Sequence, residues 1–109
     1  MKCLIYYVCC IILICLCTSC AEDGRANKIY SIKGNVERGD LLYVENCIGC
    51  HAHNIRGSIG PSLVNKFSTR EIAINSINII LEGSGKMQSY ADLSDQEIAD
   101  LIAYIKSKE

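Results

Sequence analysis

The stretch Cys47-Ile48-Gly49-Cys50-His51 decides how this chain is read. Its thiols stand three positions apart, and a histidine directly follows the second. Cysteines one helical turn apart can each bond one of the neighbouring vinyl groups on a porphyrin edge. The next side chain then lies over the ring, where an imidazole nitrogen reaches the iron. This spacing is the signature of c-type haem attachment. Two other uses of Cys-x-x-Cys compete with it. A structural zinc site needs four nitrogen or sulfur ligands, and beyond the first 20 residues the chain offers only Cys47, Cys50, His51 and His53, all within one short segment. A thioredoxin-like dithiol follows a strand in an α/β frame, whereas Gly39 to Asn46 reads as helix. Haem attachment is the expectation, with metal or dithiol chemistry as the alternatives.

The chain has 109 residues, which sets an expectation of one domain. Its eight cysteines suggest a disulfide scaffold until their positions are read: six of them, Cys3, Cys9, Cys10, Cys15, Cys17 and Cys20, fall within the first 20 residues. Residues 1–20 read as a signal peptide, with Lys2 as a short positive start and an apolar run from Cys3 to Cys17. Cys17-Thr18-Ser19-Cys20 resembles a bacterial lipobox with Cys where Leu is usual, which marks Cys20 for lipidation. Cleavage after Ala21, or an uncut leader held in a bilayer, are the other fates. Each places the domain outside the cytoplasm, in the periplasm or on the outer face of a bacterial membrane. Lys2 is the only charge in the leader, so beyond it ten basic groups stand against twelve acidic, a formal net charge of −2. That balance excludes a basic footprint for nucleic acid.

Residues 21–33 are polar without a helical stripe and read as a flexible tether, with an r.m.s. span of about 20 Å. From Gly39 a helix is expected, with Leu41, Val44 and Ile48 on its apolar side. Ala52 to Pro61 reads as a loop. Ser68-Thr69-Arg70-Glu71 is a capping-box pattern opening a helix whose inward face is Ala73, Ile77, Ile80 and Leu81, ended by Gly83. Gly85-Lys86 is not a phosphate loop, because Ile80 and Met87 stand where that motif needs Gly and Ser or Thr. Ser94 and Glu97 form a second capping box, and Ile98, Leu101, Ile102 and Ile105 mark the apolar face of the last helix.

With these elements in order, residues 34–109 resemble a class I c-type cytochrome of the small bacterial monohaem kind. Gly39 and Tyr43 precede Cys47 as the family's glycine and aromatic do. Gly60-Pro61-Ser62-Leu63 matches its Gly-Pro-x-Leu, Gly83 to Met87 its distal Gly-x-x-x-Met, and Leu93 to Ile98 with Tyr104 its last helix. Gln88 stands where the family usually has Pro, and Tyr90 where it often has Phe. The resemblance implies an all-α small cytochrome c fold, with three to four helices wrapped around one covalently attached haem c after the N-terminal segment. It also implies that the Pro61 backbone accepts from the proximal His51 and that Met87 is the distal iron ligand.

Read from the residues, Met87 is either that ligand or a packed core methionine, and His53 is a rival placed too near His51 to reach the opposite face. Two strong axial ligands leave the iron no open position, so the expectation is an electron carrier cycling between Fe(II) and Fe(III), not an enzyme. Its expected partners are redox proteins, including a membrane oxidase or dehydrogenase, which it serves as a freely docking shuttle or as a dedicated subunit. A haem sensor or peroxidase with an open iron is the alternative if Met87 is not bound. The carboxylates, scattered at caps and on polar faces, read as solvated charges.

Overall fold

The computed structural model describes residues 1–17 and 24–109. Among the described residues it holds six helices: α1 (Lys2–Cys17), α2 (Arg25–Tyr30), α3 (Val36–Asn46), α4 (Ile48–His51), α5 (Arg70–Glu82) and α6 (Asp95–Ser107). They build no sheet, and the only strand-like pairing among them is the isolated bridge between Ser84 and Met87. The apolar N-terminal run is helical as α1, about 24 Å long, and among the described residues no helix is long and apolar enough to cross a membrane. Cys20, the expected lipidation site, lies outside the described residues.

Helices α3 and α6 cross in direct contact. A Cβ on Gly39 would stand 1.9 Å from the Asp100 carbonyl oxygen and 2.8 Å from Tyr104 Cβ. Only a glycine lets the two backbones meet here. This contact decides which face of α3 turns inward. Gly39 and, one turn on, Tyr43 are buried, and the Tyr43 ring packs on Tyr104 with centroids 5.2 Å apart. Leu41 and Val44, expected on the apolar side, therefore point outward and are 69% and 50% exposed. The sequence stripe misled because a glycine carries no hydropathy signal, yet it marks the closest contact. The helix also begins earlier than expected, with the Asn35 side chain accepting from Arg38 N.

Asp100 corrects the reading of all carboxylates as solvated. It is 2% exposed. Its Oδ1 accepts from Asn35 N at 2.7 Å and Gln96 Nε2 at 2.9 Å, and Arg38 Nε lies 3.3 Å from Oδ2. A carboxylate taken from water this far survives only when so partnered.

Residues 24–33 are not the flexible tether expected of 21–33. Six residues form α2, whose Ala26 and Ile29 are buried against α5 and α6. A helix this short has no stability of its own; tertiary contacts hold it. Arg25 Nε lies 2.8 Å from Asp95 Oδ1, its other guanidinium nitrogens donate to the Ala91 and Leu93 carbonyls, and Lys28 Nζ lies 3.0 Å from Asp95 Oδ2. These cations hold the Asp95 carboxyl below its ordinary range. An apolar pair at i, i+3 is too short to register as a period.

Helix α5 buries Ala73, Ile77 and Leu81 as expected, but its cap is Thr69, accepting from Ile72 N, and Ser68 instead donates to Asn65 O. The capping box of α6 forms as the sequence predicts. Its buried face, Ile98, Leu101, Tyr104 and Ile105, completes the core with Ile77. If α2 is part of this core, Ile29→Ala should lower unfolding stability by about 2–5 kcal/mol in a denaturant titration. A stability unchanged by that substitution would return residues 24–33 to a tether.

Candidate functional site

The Tyr43 side of α3 leads straight into the cysteine pair. Cys47 ends α3, its N–H bonding to Tyr43 O at 2.8 Å, and the chain turns at once into α4, where His51 N bonds back to Cys47 O at 3.0 Å. This single turn sets both thiols and the imidazole on one short segment. Cys47 is half-buried, Cys50 is exposed, and both are free thiols. Burial, and then the neighbouring Cys50, push the Cys47 thiol up to about 11.

His51 is 7% exposed. Its Nδ1 lies 2.8 Å from Pro61 O, so the Nδ1–H tautomer donates to that carbonyl and leaves Nε2 with its lone pair. The acceptor suggested by resemblance is thus in hydrogen-bond contact. The loop comes this close because of Gly60: a Cβ there would stand 3.0 Å from His51 Cε1 and 3.3 Å from Cys50 Cβ. Read from the residues alone, Gly60-Pro61 marks a loop; the resemblance put Pro61, but not Gly60, against the imidazole.

The segment after His51 folds back on α4. Gly60 N and Ser58 N bond to Cys50 O, and Gly57 N to His51 O. Ala52 takes φ 66° and Ile55 φ 60°, conformations that disfavour side chains bearing a Cβ. The Tyr43 hydroxyl donates to Ala52 O at 2.6 Å and holds that turn in place. Burial pushes the Tyr43 phenol up to about 12. His53 is exposed.

Met87 sits on a separate tight turn. Helix α5 ends at Gly83, whose φ of 78° suits glycine, and a Cβ there would meet Met87 O at 2.7 Å. Ser84 N bonds to Met87 O at 3.0 Å and Met87 N to Ser84 O at 2.9 Å. Gly85 at φ 56° followed by Lys86 makes this the Gly-first hairpin turn. Gly85-Lys86 therefore shapes a turn, as its failure to match a phosphate loop leaves open. Met87 is half-buried. Past it, Tyr90 N bonds to Ile80 O at 2.8 Å and the Tyr90 hydroxyl donates to Asn46 O at 2.8 Å. Burial, followed by the nearby Cys47, raises the Tyr90 phenol above its ordinary value.

The donor set fits covalently held haem. Two free thiols flank one turn, a buried imidazole has its Nδ1 committed to a carbonyl, and a backbone cradle at Gly60 would be filled by any Cβ. Among the described residues no group of three or more His, Cys, Asp or Glu converges as a metal-ion site would require.

Comparison with known proteins agrees with this chemistry. The family model described as cytochrome C oxidase, cbb3-type, subunit III matches residues 34–105. A cytochrome c-553-like protein of a Synechocystis species is 31% identical over 85 residues, spanning 78% of this chain and 80% of that protein. Cytochrome c6 of Cyanidium caldarium is 33% identical over 104 residues, spanning 90% of this chain and 92% of its own length. The crystal structure of cytochrome cL from Hyphomicrobium denitrificans superposes with a TM-score of 0.56 at 27% identity, covering 81% of this chain and 61% of that one.

The Tyr43 hydroxyl carries a pH signature. The folded chain keeps the phenol proton from its ordinary value of 10.0 up to about 12, while the unfolded chain releases it. The associated stability is complete below the ordinary value and is lost as pH rises through that window. Tyr43→Phe should cost about 0.5–1.5 kcal/mol at neutral pH and flatten the alkaline fall in stability. Denaturant titrations across the window compare the two proteins; parallel curves would detach Tyr43 from it.

Proposed function

Because the chain belongs to the c-type cytochromes, the family of the cbb3-type oxidase subunit III domain, we propose that Cys47 and Cys50 hold its haem and that His51 and Met87 are the axial ligands. The protein is a monohaem electron carrier with haem c as its cofactor, and it exchanges electrons with redox partner proteins. Haem c, once attached, supplies the one-electron Fe(II)/Fe(III) couple.

The observation that carries the ligand reading is the His51 imidazole, buried, one residue past the second thiol, with Nδ1 donating to Pro61 O at 2.8 Å. That bond fixes the tautomer, raises the basicity of Nε2 and stops the ring from rotating. Cys47 and Cys50 on the same turn anchor the porphyrin edge, so the ring and the imidazole share one rigid segment. Met87 supplies a soft thioether on the turn that its reciprocal bonds with Ser84 hold closed. A thioether opposite imidazole raises the reduction potential relative to two imidazoles. Both strong positions being filled, outer-sphere transfer through the haem edge is the chemistry these residues serve.

Residues 1–20 are proposed as a lipoprotein leader segment: the Cys20 thiol is lipidated and the chain is cleaved before it, so that Cys20 ties the domain to the outer face of a bacterial membrane. The cytochrome domain then runs to residue 109, and its start extends back from residue 34 to include α2, because Ala26 and Ile29 lie in the core. A membrane oxidase or dehydrogenase is the proposed class of partner. The motif that supports the anchor is Cys17-Thr18-Ser19-Cys20.

The ligand assignment is tested by absorption spectra of the exported holoprotein beside those of Met87→Ala. The wild type should be low-spin with a methionine–iron charge-transfer band that the variant loses. A high-spin ferric wild type, indifferent to the substitution, would remove Met87 from the iron. The anchor is tested by fractionation: Cys20→Ser should move the haem protein from the membrane to the soluble fraction. A haem protein already soluble before substitution would rule lipidation out.

A further inference from the structure

The presumed ligands arrive on different helices. His51 follows α3, whereas Met87 hangs from the end of α5, and α5 packs mainly on α2. Three bonds of the Gly83–Tyr90 segment return it to α5. Gly83 N bonds to Ile79 O and Tyr90 N to Ile80 O, each at 2.8 Å, and the Ser89 hydroxyl donates to Leu81 O. These contacts shape the segment but fix nothing about its distance from the cysteine pair. Among the described residues one side-chain bond from this segment crosses to the other support: the Tyr90 hydroxyl donates to Asn46 O at 2.8 Å. Asn46 is the last residue of α3, and Cys47 follows it. Its carbonyl is one of the acceptors that a helix end leaves without an intrahelical partner.

We infer that Tyr90 is the positioning residue of the distal ligand: its hydroxyl pins the Met87 turn to the helix end that carries Cys47. The inference rests on the assignment of Met87 as ligand. Gln88 sharpens it. A proline after Met87 would fix φ and restrict Met87 itself; Gln88 does neither, so the span from Met87 to Tyr90 relies on the bond at its far end. A ring without a hydroxyl at position 90 would fill the same space and leave the turn unpinned. The consequence is a larger fraction of molecules with Met87 off the iron, without loss of the fold.

The test is Tyr90→Phe in the exported ferric holoprotein, titrated with imidazole while the methionine–iron band is followed. Imidazole binds only where Met87 has left, so its apparent affinity scales with the detached fraction. Loss of this half-buried hydrogen bond should tighten imidazole binding about tenfold. Tyr43→Phe is the control. It loses a comparable hydroxyl bond on the His51 side, so it should lower the denaturation midpoint yet leave imidazole affinity at the wild-type value. Equal imidazole affinities in Tyr90→Phe and wild type, or equal tightening in the two variants, would reduce Tyr90 to a structural residue and overturn the inference while Met87 stands. A wild type with no methionine–iron band would overturn both together.

Discussion

Helices α3 and α6 meet where α3 has no room for a side chain, and the rest of the molecule is arranged around that contact. Gly39 brings the α3 backbone against the Asp100 carbonyl. The same approach draws Asp100 out of water, where Asn35, Gln96 and Arg38 supply its partners. It also turns Tyr43 inward against Tyr104. The orientation of α3 sets that of Cys47 at its end, and Cys47 sets the turn that carries Cys50 and His51. A close crossing at Gly39 thus determines where Cys50 and His51 stand.

Backbone carbonyls do much of the positioning. Pro61 O receives the His51 Nδ1–H, Ala52 O the Tyr43 hydroxyl and Asn46 O the Tyr90 hydroxyl. Each of these bonds joins a side chain to irregular backbone or to a helix end, where acceptors are left over from the regular helical ladder; Ala52 O accepts from Ile55 N as well. They constrain the loops without adding charge. Arg25 works in the same way at the Ala91 and Leu93 carbonyls, and through it α2 steadies the chain between the Met87 turn and α6.

The outward face of α3 has a different character. Leu41 and Val44 are exposed beside Asp40 and Glu45. A formal net charge of −2 beyond residue 20 leaves the domain only weakly steered by long-range charge. Weak, transient encounters suit an electron carrier better than tight complexes do.

The sequence alone determined the chemistry. Cys47, Cys50 and His51 are local in the chain, and their spacing points to haem attachment before any fold is known. The inward face of α5 and the Ser94 cap of α6 were equally legible, because helical periodicity and capping are written within a few neighbouring positions. Tertiary structure decided what depends on distance. It chose Gly39 and Tyr43 over Leu41 and Val44 as the inward face, folded residues 25–30 onto the core, buried Asp100, and brought the Tyr90 hydroxyl to Asn46 O across 44 positions of chain. Those outcomes were hidden for one physical reason. A close backbone approach, a short docked helix and a side-chain bond to a remote carbonyl leave no period in the sequence, because the partner that gives each its meaning is elsewhere in the chain.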